Sequence, residues 1–138
     1  MSKAIKFNNI HHLVPGAVLF HVIGSGSSNL KTVNDITEFK VTRSPYNQPF
    51  SGSTAEVLWM DGIATYTNHA DKRVTGFNRA RSLRDGGISR DGRIYNLNRY
   101  FWTKEDAAEF IEELNSGVFS DPLDQAEHDD EFKNRDFW

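Results

Sequence analysis

Alternating apolar and polar residues predict short β-strands over most of the chain. Residues 17–23 form an apolar run bounded by glycines, which is typical of a buried strand. In residues 36–43, Phe39 and Val41 alternate with polar side chains, which indicates a strand with one face exposed to solvent. Roughly five to seven such strands, separated by turn-forming residues, favour an antiparallel sheet.

Asp-Gly pairs mark the predicted turns between strands. Asp61-Gly62 separates two β-forming segments, residues 54–60 and 63–67, and an Asp-Gly pair suits the type I′ turn of a hairpin. Two further Asp-Gly pairs follow at 85–86 and 91–92. Residues 44–53 contain two prolines and a glycine, so we expect a loop there, with Tyr46 and Phe50 as a lid or a contact surface.

One amphipathic helix is predicted over residues 104–115. Thr103 is suited to be its N-cap, and Glu105 and Asp106 place negative charge at the positive end of the helix dipole. Gly117 provides a stop at the C-terminal end. Apolar residues recur at helical spacing, at Ala107, Phe110, Ile111 and Leu114. We therefore expect one face of this helix to pack on the sheet.

The order of these elements predicts an α+β fold that is mainly β, a small antiparallel barrel or rolled sheet with one C-terminal amphipathic helix. We expect residues 1–117 to form a single β-rich domain, which the helix caps. Residues 118–138 are acidic and form either a solvated C-terminal tail or a second helix from Asp121-Pro122. Because Phe137 and Trp138 close this tail, we expect it to dock on the barrel or to meet a partner.

Composition excludes several classes of protein. The 138 residues suffice for one domain, and the absence of cysteine excludes disulfides, thiol catalysis and zinc–thiolate sites. The longest apolar run is far shorter than the ~20 residues of a membrane span. The first residues lack the apolar core of a signal peptide. We therefore expect a soluble, cytoplasmic protein without membrane contact.

Motifs of catalysis, cofactor binding and metal binding are absent from the sequence. It contains no Walker loop, dinucleotide fingerprint, serine nucleophile elbow or His-Glu-x-x-His motif. His11 and His12 are adjacent, but neighbours on a strand point to opposite faces and would not chelate one ion together. We expect a protein that is not an enzyme and that needs neither a cofactor nor a metal.

Charge is distributed unevenly along the chain, although the net charge is only −3. Residues 68–104 carry nine basic and three acidic side chains, whereas residues 105–138 carry two basic and twelve acidic ones. This asymmetry predicts a polyanion-binding face, and it also fits two charged faces that pair inside one fold. In the basic segment arginines interleave with aromatic residues, a combination that suits phosphates and stacked bases. The predicted nucleic-acid-binding residues are Lys72, Arg73, Arg79, Arg81, Arg84, Arg93, Tyr95 and Arg99.

The helix start adds a resemblance to this picture. The segment Phe-Trp-Thr-Lys-Glu-Asp-Ala-Ala-Glu-Phe-Ile at 101–111 follows an aromatic strand. It resembles small accessory proteins of tailed phages, in which an SH3-like barrel is followed by a helix that opens on Phe or Thr and then Thr-Lys-Glu-Glu-Ala. The resemblance covers residues 100–115 well and residues 85–102 loosely. It implies a phage-encoded SH3-like barrel that acts in the host cytoplasm.

Two functions remain open at this point. The first is non-enzymatic binding of nucleic acid, DNA rather than RNA, through the basic and aromatic face, with the acidic tail modulating that binding. The tail is similar in outline to the C-termini of single-stranded DNA-binding proteins, which recruit partners and compete for the basic groove. The second is inhibition or modulation of a host enzyme, as a host-takeover or anti-defence factor, with Phe132, Phe137 and Trp138 as anchors.

Overall fold

The computed structural model describes residues 3–24, 32–49, 56–68, 70–89 and 96–135. The strands are β1 (Val18–Val22), β2 (Thr37–Pro49), β3 (Glu56–Thr67), β4 (Arg73–Ser82) and β5 (Arg99–Phe101). The α-helices are α1 (Lys104–Ser116) and α2 (Pro122–Arg135). Short 3₁₀ turns lie at Phe7–His12, Val33–Asp35 and Arg84–Gly86.

The strands form one antiparallel sheet in the order β4-β3-β2-β1-β5. Strands β4 and β5 therefore lie at the two edges. The predicted α+β, mainly β fold with a C-terminal helix is confirmed. The described residues show no ladder between β4 and β5, so the finer prediction of an SH3-like barrel is not confirmed.

Each face of the sheet has its own hydrophobic core. The register places Leu19, Phe39 and Ala64 opposite one another on one face, which we call the groove face. They are buried there with Met60, Leu83, Ile88 and Tyr100 and with apolar residues of the N-terminal segment. The opposite face, which we call the helix face, carries Val22 and Phe101 and is covered by α1. Both faces of the β1–β5 end are therefore buried.

Helix α1 confirms the predicted amphipathic helix. The Thr103 side chain accepts a hydrogen bond from the Asp106 backbone N–H at 3.1 Å, which caps the first turn. Gly117 ends the helix in the left-handed conformation, with φ of 75°, and donates its N–H to the Glu113 carbonyl. The stripe of Ala107, Phe110 and Ile111 is buried against the helix face of the sheet.

The acidic segment contains helix α2, which was one of the two alternatives for it. Asp121 caps the helix, because its carboxylate accepts the Leu123 backbone N–H at 2.9 Å. Gln125 donates to the Gly117 carbonyl at 3.0 Å and accepts from the Phe119 backbone N–H at 2.9 Å. These bonds tie the first turns of α2 to the end of α1. The boundary drawn at residue 117 stays a prediction.

The hairpin predicted at Asp61-Gly62 is wrong, because both residues lie in the middle of β3. Gly62 pairs with Val41 on one side and Arg79 on the other. A Cβ at Gly62 would overlap the Phe39 ring, so the glycine serves close packing on the groove face rather than a turn. The connection from β3 to β4 begins at Asn68, whose side chain accepts the backbone N–H groups of Ala70 and Lys72.

The loop predicted over residues 44–53 is also wrong for its first part, since β2 continues to Pro49. The β2–β3 register shifts between Arg43 and Tyr46, so Pro45 falls at an irregularity where no ladder hydrogen bond is required of it. Tyr46 donates its hydroxyl to Asp61 Oδ1 at 2.6 Å. Phe50 and the rest of the predicted loop lie outside the described residues.

Candidate nucleic-acid interface

A groove of about 370 Å³ opens on the groove face between β2, β3 and β4. Its lining combines a 3₁₀ turn with the three strands. The polar and aromatic lining residues are Asn34 and Asp35 of the turn, Thr37 of β2, Tyr66 and Thr67 of β3, and Arg79 and Arg81 of β4. The volume lies within the range of pockets that hold small molecules. The groove is therefore large enough for one nucleotide unit.

The strand register directs Arg79 and Arg81 into this groove. They are alternate residues of β4, and they lie opposite Gly62 and Met60 of β3. Because alternate residues share a face, both point to the side on which Met60 is buried. The local sequence thus places two guanidinium groups side by side on an edge strand.

The electrostatics of the groove favour an anion. Within the described residues, neither Arg79 nor Arg81 is in a salt bridge. Asp35 is the acidic residue of the lining, and its carboxylate accepts the Thr32 backbone N–H at 2.7 Å. A guanidinium presents its donors in a fork that matches phosphate oxygens. The lining therefore has an excess of positive charge and of hydrogen-bond donors.

A buried aromatic pair lies beside the groove. His21 lies opposite Thr37 in the β1–β2 register, and its ring stacks on Tyr100 at 4.1 Å between centroids. Burial, and secondarily the charge of Arg81, lowers the pKa of His21 to about 3, so the imidazole is neutral at physiological pH. Burial also raises the pKa of the Tyr100 hydroxyl, which stays protonated. Sequence reasoning missed His21, although its place in the apolar run at 17–23 was a signal that it is buried.

The match to a family decides the origin of the chain. The family model of the phage g100-like proteins matches residues 7–114. The chain belongs to the phage g100-like family. The predicted phage origin is thereby confirmed. Comparison with curated proteins and with solved structures finds no match.

Two of the residues that line the groove of this phage g100-like protein, Arg79 and Arg81, lie on the edge strand β4, and other predicted residues flank it. Lys72 is exposed in the turn before β4, and Arg84 is exposed in the 3₁₀ turn after it. Arg73 is partly engaged within the protein: it donates to the Ile36 carbonyl and to Thr67 Oγ1, each at 3.1 Å. Its other terminal nitrogen lies 3.6 Å from a Glu38 oxygen. Arg73 is therefore a weaker candidate than Arg79 or Arg81.

The prediction that Arg99 contacts nucleic acid is wrong, because this residue is 1% exposed. Its Nη2 donates to Asp124 Oδ1 at 3.0 Å, and both side chains are buried. Its Nη1 donates to the Asn96 and Asn98 carbonyls at 2.7 and 2.6 Å. Helix α2 supplies the carboxylate, so the charge of Arg99 is neutralised inside the fold. At this point the basic segment 68–104 and the acidic segment 105–138 pair within the protein, which was the alternative interpretation of the charge pattern.

The remaining predicted residues are not placed by the structure. Arg93, Tyr95, Phe137 and Trp138 lie outside the described residues. Phe132 lies in α2, but its side chain is outside the description as well. Among the described residues, no group of three His, Asp or Glu side chains is arranged to hold a metal ion. None of the helices in the described ranges is both long and apolar enough to cross a membrane.

Proposed function

We propose that this phage g100-like protein binds nucleic acid, DNA in preference to RNA, through the groove and the edge strand β4. Arg79 and Arg81 are the phosphate contacts, and Tyr66 offers a ring for stacking. The observation that carries the proposal is the pair of guanidinium groups without a salt bridge in the described residues, side by side in a groove of about 370 Å³. The protein acts in this way in the host cytoplasm, without catalysis and without a cofactor.

The charges that flank the groove extend the proposed contact. Lys72 precedes β4 and Arg84 follows it, so basic side chains stand at both ends of the edge strand that carries Arg79 and Arg81. At about 3.3 Å per residue, the ten residues of β4 alone span roughly 33 Å. The edge strand therefore offers contacts to several successive phosphates, and its exposed edge favours a flexible single strand.

The acidic segment modulates this binding by its position. Arg99 is on the helix face of the sheet, together with Phe101. Because Asp124 of α2 pairs with Arg99, α2 also lies on this side. Arg79 points to the opposite side, the groove face. The exposed carboxylates of α2, Asp129 and Asp130, repel a polyanion from the helix face. We infer that α2 directs a strand to the groove face instead of occupying the groove itself.

The test measures binding of the full chain to labelled oligonucleotides by fluorescence anisotropy over a salt series. Single- and double-stranded DNA and RNA are compared for the wild type and the double variant Arg79→Ala, Arg81→Ala. We expect at least about a tenfold loss of affinity in the variant, because each charged hydrogen bond contributes substantially. The slope of log affinity against log salt should fall by about 1.5, since two phosphate contacts are lost.

The matched control for this test is Lys40→Ala, which removes a cation from the opposite face of the same sheet. Lys40 is exposed and lies next to Phe39, whose side chain is on the groove face. Its loss should leave affinity and salt dependence nearly unchanged. Absence of binding by the wild type at low salt, or equal losses in control and double variant, would contradict the proposal.

A second candidate function rests on apolar residues exposed beside the acidic helix. Val118 is 68% exposed and Leu123 is 55% exposed, at the junction of α1 and α2. With Phe132, Phe137 and Trp138 nearby in sequence, this junction is a candidate contact for a host enzyme that the protein inhibits or modulates. A host protein that is captured independently of salt, and lost with Val118→Ser and Leu123→Ser, would support this function over the first.

A further inference from the structure

Two buried nitrogen atoms near the groove have no hydrogen-bond partner within the described residues. They are Nε of Arg81 and Nε2 of His21. Buried polar atoms in proteins are nearly always hydrogen-bonded, so an unpartnered pair at one place requires an explanation. His21 is only 6% exposed, so bulk solvent does not supply a hydrogen-bond partner to its Nε2.

The two nitrogen atoms belong to the same face of the sheet and to one neighbourhood. Arg81 lines the groove directly. His21 is the cross-strand neighbour of Thr37, which lines the groove as well. The Tyr100 ring stacks on the imidazole with an angle of 9° between the planes, which fixes the orientation of the ring. The imidazole of His21 is thus held in its orientation by the stack on Tyr100.

We propose that the inner end of the groove, between Arg81 and His21, is a subsite for the phosphate group of a nucleotide. This inference rests on the proposed function, since it concerns the same groove. Arg81 donates a hydrogen bond from Nε. Arg79, two residues away on the same face of β4, supplies a second positive charge. Neutral His21 donates from Nε2, provided that this nitrogen carries the hydrogen.

A nucleotide phosphate fits this set of groups better than a smaller anion. It offers several acceptor oxygens, which match the donors that β1 and β4 supply. The volume of about 370 Å³ leaves room for the sugar and base beyond the phosphate. Tyr66 and Asn34 line the rest of the groove, where one is suited to stacking and the other to hydrogen bonds with a base edge. The phosphate comes either from a free mononucleotide or from the end of a strand.

The experiment follows the Arg81 Nε–H and His21 ring signals of the full chain by NMR during titration. The probes are deoxyadenosine 5′-monophosphate, deoxyadenosine and inorganic phosphate. We expect the monophosphate to shift both signals and deoxyadenosine to leave them unchanged. Inorganic phosphate should shift them with weaker affinity, because it lacks the contacts of sugar and base. Unchanged signals at millimolar monophosphate would overturn the subsite.

Variants then assign the subsite to its residues. His21→Phe keeps a ring for the stack on Tyr100 but removes Nε2, and we expect it to weaken monophosphate binding about tenfold. Arg81→Lys keeps the charge of a partly exposed residue, so it preserves folding and tests the guanidinium geometry. Lys40→Gln, on the helix face, should bind like the wild type. Equal affinity in all of these proteins would also overturn the subsite.

Oligonucleotides with and without a 5′-phosphate separate the two sources and the two possible failures. Tighter binding of the phosphorylated strand identifies a strand end as the ligand, whereas equal binding alongside a monophosphate response identifies the free nucleotide. If oligonucleotides bind through Arg79 but the His21 signal never moves, the subsite is wrong and the proposed function stands. If no oligonucleotide binds, the proposed function fails, and the monophosphate titration alone decides the subsite.

Discussion

Arg81 and Arg99 belong to the same basic segment of the sequence, yet they have opposite environments. Arg81 lies on an edge strand, lines an open groove and has no salt bridge within the described residues. Arg99 lies on the other edge strand, is 1% exposed and is bound to Asp124. The difference is that α2 covers one edge and not the other. A cluster of basic residues in sequence therefore does not define a binding surface until the positions of the carboxylates are known.

The largest effect is expected from removing the carboxylate that pairs with buried Arg99. Asp124→Ala leaves the Arg99 guanidinium buried without its counter-charge, which should lower the free energy of unfolding by about 3–5 kcal/mol. Urea unfolding of the full chain measures the loss. Asp130→Ala removes an exposed carboxylate of the same helix and serves as the control, with little change expected. A loss below about 1 kcal/mol in Asp124→Ala would mean that α2 does not hold Arg99.

The next effect concerns close packing under the groove. Gly62→Ala introduces a methyl group that overlaps the Phe39 ring, and overpacking of this kind costs about 1–3 kcal/mol. The midpoint of urea unfolding reports the change. Phe39→Leu in the same chain should recover part of the loss, since the shorter side chain leaves space for the methyl group. Strictly additive losses in the double variant would argue against direct contact as the cause.

A pH-dependent effect is expected from His21. Its pKa is lowered from 6.5 to about 3 in the folded protein, so the unfolded chain binds the proton more tightly. Its contribution to stability is therefore complete above pH 6.5 and is lost as the pH falls from 6.5 towards 3. The slope is on the order of 1 kcal/mol per pH unit in this window. Unfolding of His21→Phe should depend less steeply on pH; parallel curves would show that other groups cause the dependence.

The smallest effect on stability is expected from replacing an exposed arginine of the groove. Arg79→Gln removes an exposed guanidinium without a salt bridge in the described residues, so the free energy of unfolding should change by less than about 0.5 kcal/mol. The same urea experiment checks this value. A clear loss of stability would indicate that Arg79 is a structural residue, and it would weaken the proposal that this side chain is available to a ligand.

Helix α1 could be predicted from sequence because its signals are local. Thr103 caps the helix three residues before Asp106, and Gly117 ends it, so a short window contains the whole pattern. The alternation around Phe39 and Val41 was equally local, and both are buried as expected in β2. These elements form where propensity, capping and burial all agree with one another.

Predictions from sequence failed where a distant residue decides the structure. The pair Asp61-Gly62 is typical of a turn, but it lies within a strand. There Asp61 accepts a hydrogen bond from the Tyr46 hydroxyl, and Gly62 packs against the Phe39 ring. The basic segment around Arg99 predicts a surface cation, but Asp124 of α2 pairs with this arginine inside the fold. In the candidate site, Arg79 and Arg81 were predicted from the sequence. The apolar run at 17–23 indicated only that His21 is buried, and its position beside the groove follows from the register that places it opposite Thr37. No local pattern encodes these contacts, since each depends on which strands become neighbours.

The buried pair of Arg99 and Asp124 also constrains how this family can change. The family match ends at residue 114, so it includes Arg99 but not Asp124. A relative that differs after α1 must bring another carboxylate to the end of β5, or it must replace the arginine with an uncharged residue. The two positions should therefore covary among phage g100-like proteins. The residue at position 99 then indicates whether a relative has a counterpart of α2.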